Sequence, residues 1–353
     1  MWCALLLAAP ALTHVRIATP TRPPLIRMQQ PAAAPIRMQQ PAAPPSTLQA
    51  LTFPCLSLAA AASGLAFPRA CAPLGSLPAL QAGMSALMLS MGLSLTPADL
   101  RRALASPREI VLNAALCFGA MPLVAVALSH ALSLPAATAA GLVLLGSVSG
   151  GQASNLCALL AGGDLALSVV LTVSTTVLGV VATPALVQLL LGATVAVDAA
   201  AMLGSIARLV LLPLAAGLAA GQYLPALVAR LQPALPRIGI AALLGLVAGG
   251  SANAASLLLG AAAWRAHAAS ILLPLVGGAV ALAIAAVARL DGRAARTLSI
   301  ETAIKSPTLA FVLAQTHFES AAVAAVPAAS MVWLAAIGAA AASAWRHLAP
   351  RSD

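Results

Sequence analysis

From Leu51 onward the chain consists of long apolar runs parted by short polar ones. The runs cover 51–68, 77–95, 110–132, 136–161, 165–191, 200–221, 238–263, 268–287, 297–314 and 321–345. Each is about 17–27 residues, the length a helix needs to cross the hydrocarbon of a bilayer. The pattern predicts an all-α polytopic membrane protein of about ten transmembrane helices. Two runs are interrupted. The fourth contains Ser147-Val148-Ser149-Gly150-Gly151-Gln152-Ala153-Ser154-Asn155, and the ninth contains Glu301 to Pro307. Glycine pairs and polar runs make poor continuous helix. Pro307 lacks a backbone donor and biases Ser306 away from helical angles. Each break is fourth in a set of five runs. Broken helices in corresponding halves point to a transporter site built from inverted repeats.

Composition supports this reading. The chain is 61% hydrophobic and 7% charged, against roughly 25% charged in a soluble domain. The net charge of +10 does not indicate nucleic acid, because the arginines are scattered over loops and not interleaved with aromatics. They mark topology instead. Loops on one side carry Arg101, Arg102, Arg108, Arg230, Arg237, Arg289, Arg293, Arg296, Arg346 and Arg351, and those opposite carry only Arg69 and Arg265. That asymmetry suits an even number of spans with both ends on the cytosol-like face. Residues 1–50 differ: they hold four arginines and no acidic residue, the first being Asp99. Such composition predicts a disordered, signal- or transit-like targeting leader. The five cysteines show no metal or redox spacing and read as small buried hydrophobes. Beyond residue 50 the histidines, His130, His267, His317 and His347, fall near run ends, where interfacial packing is the expected role.

Lys305 is the one lysine of the chain, four residues after Glu301 inside the ninth run. Ionisable groups within a span are costly and mark functional sites. A lone intramembrane lysine also suits a Schiff-base photoreceptor, but 3% aromatics and a single tyrosine leave little to line a chromophore pocket. A channel is a further alternative. No serine-triad, HExxH or paired-carboxylate pattern points to an enzyme.

At its two interruptions the chain resembles the bile acid:sodium symporter family, plastid-envelope branch. The first block is Gly150-Gly151-Gln152-Ala153-Ser154-Asn155, followed by Leu160-Ala161-Gly162-Gly163-Asp164-Leu165-Ala166-Leu167-Ser168-Val169 and Thr172. The second is Ser299-Ile300-Glu301-Thr302-Ala303-Ile304-Lys305-Ser306. Met91 to Asp99, Met121-Pro122 and His317-Phe318 are weaker matches. The resemblance implies two inverted five-helix repeats, 51–195 and 196–346, within a transporter domain of 51–353. It implies panel and core domains, with broken helices four and nine crossing in the core.

The resemblance places Ser154, Asn155, Ser168, Thr172 and Glu301 at a sodium site. The chemistry agrees, because hard cations take oxygen ligands, and Ser168 and Thr172 share a helix face. Where the family has glutamines at a second sodium site, this chain has Cys117 and Lys305. A thiol is soft and an ammonium has no acceptor, so the expectation is an altered second cation site with Lys305 as a tethered charge. Gln152, Ser306 and Thr302 fall where an anion would bind, and Asp164 reads as a helix cap.

The implied function is secondary active transport of small organic anions, 2-oxo or 2-hydroxy monocarboxylates such as pyruvate or pantoate-like acids, coupled to sodium. A proton-coupled or sodium-independent carrier is the alternative. Sodium is the coupling ion, and no other cofactor is expected. The implied partners are the anion and the bilayer, with no nucleic acid. The expected location is the plastid envelope, with the plasma membrane as alternative.

Overall fold

The computed structural model describes residues 47–95, 101, 106–193, 195–232, 234–261 and 263–348. Almost all of the expected leader, and the resemblance at Thr96 to Asp99, lie outside the described residues.

The described chain is helical. Helices α1 (Thr47–Ala66), α2 (Pro68–Gly75) and α3 (Leu77–Ser94) come first. Next are α4 (Pro107–Ala131), α5 (Ala136–Ser147), α6 (Ala153–Leu160) and α7 (Leu165–Leu191). Then follow α8 (Ala199–Tyr223), α9 (Pro225–Leu231), α10 (Leu235–Asn253), α11 (Ala255–Leu259) and α12 (Ala263–Val287). Last are α13 (Gly292–Ala303), α14 (Pro307–His317) and, after a 3₁₀ turn, α15 (Ala325–Leu348). An isolated bridge between Gly150 and Lys305 is the one β feature among the described residues.

Six of these helices are long and apolar enough to cross a membrane: α3, α4, α7, α8, α10 and α12. A seventh span results if α1 and α2, bent by 110°, are taken together. The number falls short of the ten apolar runs because the fourth and ninth runs are each cut into two short helices, and the apolar part of the tenth, Ala321–Leu334, is short.

Local chemistry sets the boundaries. Asp164, Asp198 and Asp291 cap α7, α8 and α13, each accepting a hydrogen bond from a first-turn backbone N–H. Side-chain acceptors there satisfy donors the helix leaves open. Two helices contain π turns, Leu116–Ala120 in α4 and Ala207–Leu211 in α8. Each ends one residue before an X-Pro step, at Pro122 and Pro213.

One group of helices packs through glycines. Gly92 of α3 and Gly217 of α8 lie so close that an added Cβ on Gly92 would come 2.2 Å from Leu214 O. Small residues allow such approach within a membrane, where helix association depends on close packing. Helices α1, α2 and α3 all pack on α10. A second set joins α4 to α5 and α12, α6 to α7 and α13, and α12 to α13 and α15. Helix α14 packs on α3, α5 and α15.

Cys117 and Cys157 are buried as expected, whereas Cys55 is exposed and Cys71 half-buried. Exposure to lipid costs such a soft apolar group little. His267 has a packing role: its Nδ1 accepts from the Trp333 indole N–H at 2.9 Å, and its Nε2 lies 3.1 Å from Leu258 O.

Candidate functional site

The two breaks meet. Gly151 N–H donates to Ile304 O at 3.0 Å, and Ser306 N–H donates to Ser149 O at 3.1 Å. Gly150 and Lys305 thus lie opposite each other in an antiparallel pair. Backbone freed from one broken helix is satisfied by backbone freed from the other, as burial demands. Only glycine suits position 151, because a Cβ there would sit 2.6 Å from Lys305 O.

Beside this crossing, Glu301 of α13 is fully buried. Its Oε1 accepts a short hydrogen bond from Ser168 Oγ, and its Oε2 accepts from Thr172 Oγ1 at 2.7 Å. The i, i+4 spacing on α7 puts both hydroxyls on one face. Asn155 Oδ1 faces the same hydroxyls, 2.8 Å from Ser168 and 3.3 Å from Thr172. Ser154 Oγ lies 3.4 Å from Thr172 Oγ1 and 2.7 Å from Gly151 O. Thr172 Oγ1 is also 3.0 Å from Ser168 O. The structure therefore brings together all five residues expected at one site.

The donor count shows what this cluster can do. Three hydroxyl protons serve seven close oxygen–oxygen contacts. Each hydroxyl has one proton to give, and an ionised carboxylate has none. A hard cation is what an acceptor-rich cage of carboxylate, amide and hydroxyl oxygens suits. The Asn155 amide has a second face. Turned over, its NH₂ would donate to the same two hydroxyls, which makes five protons for the seven contacts.

Lys305 meets its burial differently. It is 2% exposed, and no ion pair joins it to Glu301. Its Nζ donates to Cys117 O at 3.0 Å and to Val148 O at 3.1 Å. The Phe118 ring centroid lies 5.8 Å from Nζ. Both carbonyls are free for structural reasons. In the π turn, Leu116 O takes the Met121 N–H. The same i to i+5 register would pair Cys117 O with Pro122, which has no N–H. Val148 follows the end of α5 in extended conformation.

A cleft opens where the crossing faces α3 and α10. The space open to a water-sized sphere is about 50 Å³. One wall is polar, with Gly150, Gly151, Gln152, Thr172, Lys305 and Ser306. The other is apolar, with Met84, Leu87, Met88 and Met91 of α3 and Leu243 and Val247 of α10. Gln152 Nε2 bridges the walls by donating to Leu87 O at 3.1 Å. Helices α6 and α14 begin at the polar wall, so their positive ends face the cleft. Ser306 Oγ lies 3.5 Å from Thr308 Oγ1. Thr302 is placed differently from Gln152 and Ser306. It is fully buried, does not line the cleft, and its Oγ1 has no hydrogen-bond partner.

Sequence reasoning did not find the carbonyls of Cys117 and Val148, the Phe118 ring or the methionine wall. Pro122 was the available signal for the first, because a proline five residues on removes that carbonyl's π-register donor.

Fold and site together define a polytopic helical membrane protein with two broken helices crossing over buried charge. The profile of the Sodium Bile acid symporter family matches residues 81–260. A protein of Arabidopsis thaliana named probable sodium/metabolite cotransporter BASS1, chloroplastic, is 37% identical over 272 residues, covering 76% of this chain and 67% of that protein. The Oryza sativa subsp. japonica protein named BASS2 of the same description is 35% identical, covering 75% and 63%. The sodium-dependent transporter YocS of Bacillus subtilis is 32% identical over 251 residues, covering 70% and 76%. The chain belongs to the sodium bile acid symporter family. It spans about two thirds of the length of these plant relatives. Its apolar helices of spanning length make it a multi-pass membrane protein, and its plant relatives are named chloroplastic.

Proposed function

We propose that this chain is a secondary active carrier of small organic anions, driven by sodium. The observation that carries the reading is the Glu301 cage: three hydroxyls, an amide oxygen and a carboxylate converge at two crossed helix breaks beside a cleft. Ser154, Asn155, Ser168, Thr172 and Glu301 would hold the sodium through oxygens alone. The names of the plant relatives, sodium/metabolite cotransporters, support this choice of ion and cargo class.

The anion sits in the cleft. Its carboxylate meets the N-terminal ends of α6 and α14 with Gln152 and Ser306, and its short carbon body lies on the methionines of α3. The proposed cargo is a 2-oxo or 2-hydroxy monocarboxylate, such as pyruvate or a pantoate-like acid. Two inverted repeats, 51–195 and 196–346, would let the crossing rock against the α3–α10 wall and open the cleft to either side in turn. The Gln152 bond to Leu87 O is one contact that such rocking breaks.

The test is uptake into proteoliposomes of a panel of radiolabelled monocarboxylates, with an inward sodium gradient and with choline in its place. Saturable uptake that needs the sodium gradient is the expected result. Uptake indifferent to sodium for every acid tested would overturn the sodium reading.

A further inference from the structure

We infer that the Lys305 ammonium is a resident cation, occupying a second cation position that its own side chain closes to free ions. The inference rests on the carrier reading and specifies its coupling. The position has the chemistry of an alkali-ion site. Two main-chain carbonyls, Cys117 O and Val148 O, converge on one point at 3.0 and 3.1 Å from Nζ, and the Phe118 ring faces the same point. Carbonyls freed where helices are interrupted within a membrane coordinate monovalent cations, and aromatic faces attract them. Neither carbonyl belongs to a charged side chain, and Glu301 makes no ion pair with the lysine. Lys305 is therefore held as a free ion would be, by neutral oxygen dipoles.

The tether has three consequences. The charge cannot leave, so this position takes no part in coupling and one sodium accompanies each turnover. The positive charge stays on the cleft wall, which Lys305 lines, and so attracts the anion in the absence of sodium. Replacing the lysine by a neutral residue frees both carbonyls and creates a binding site.

Equilibrium binding of ²²Na⁺ to the purified full chain tests this with sodium alone as the probe. The unsubstituted chain should bind one sodium and Lys305→Gln two. Lys305→Gln combined with Glu301→Gln should bind one. Lys305→Met, which keeps the stem and frees the same carbonyls, should also gain a site. The rise in thermal stability that sodium gives over choline should be larger for Lys305→Gln than for the unsubstituted chain, whereas a merely structural lysine would leave the two rises equal. Two sodium ions on the unsubstituted chain overturn the inference, and that measurement needs no variant to fold. One sodium on both unsubstituted chain and folded variants also overturns it, while leaving the Glu301 cage in place. No sodium on the unsubstituted chain with one gained by Lys305→Gln supports the resident cation and removes the Glu301 reading. No sodium on either overturns both.

Discussion

Glu301 and Lys305 are four residues apart in the chain, carry opposite charges and are both buried, yet the fold solvates them separately. Glu301 is held by side chains: hydroxyls of α7 reach both its oxygens, and Asn155 of α6 faces the same hydroxyls. Lys305 is held by main chain, through carbonyls that a π turn and a helix end leave free. The helix break between them explains the separation. On a continuous helix, residues i and i+4 stack on one face and pair. Here α13 stops at Ala303, and extended backbone at Ile304 turns the lysine away. Pairing would have neutralised both charges at once. On the proposed reading, separate solvation keeps each free for its own ligand, cation on one side and anion on the other. Removing one partner of a buried pair strands the other, whereas removing either residue here leaves the other's partners in place.

The strongest way to break this comparison is to neutralise the carboxylate. Glu301→Gln should weaken sodium activation of uptake on the order of 100-fold, because charge-assisted contacts to the ion are lost. Sodium-dependence curves in proteoliposomes measure it. Adding Lys305→Gln separates the two accounts. For an ion pair, neutralising both members restores transport relative to the single variant. For separately solvated charges, the double variant should transport the anion no better than Glu301→Gln.

Thr172→Val takes one donor from the carboxylate while keeping the shape of the side chain. An unmade hydrogen bond to a buried charged group costs about 1–3 kcal/mol, so half-saturation for sodium should rise by roughly tenfold, with maximal uptake changed much less. An unchanged sodium dependence would show that Thr172 serves only its own helix, where its hydroxyl also reaches Ser168 O.

The contrast also explains what could be read from sequence. The five cage residues were legible through the family resemblance, with which their side-chain oxygens and the shared face of Ser168 and Thr172 agree. The breaks were legible from the polar run around Gly150-Gly151 and from Pro307, which make poor continuous helix. The partners of Lys305 were not. They are backbone oxygens 188 and 157 residues away, and any residue type would supply them. Thr302 was expected beside the anion with Gln152 and Ser306, but it precedes the break, and its side chain is fully buried. The apolar runs gave the helical class correctly. Span lengths were harder, since breaks halve two runs and a sharp bend follows the first helix at Phe67.

The smallest effect should come from the aromatic ring beside the lysine. Phe118 is half-buried, and its ring lies 5.8 Å from Nζ. Phe118→Leu removes the ring's quadrupole but leaves an apolar body and both carbonyl acceptors. A cation–π contact contributes about 0.5–2 kcal/mol, and the ammonium's main-chain bonds remain, so uptake should fall by less than about tenfold. Sodium activation should not change, since Phe118 supplies no oxygen to the Glu301 cage. Main-chain solvation makes the lysine side the more tolerant of substitution, and this variant beside Thr172→Val measures that tolerance directly. A large loss of sodium activation in Phe118→Leu would join the two charges into one site and end the distinction.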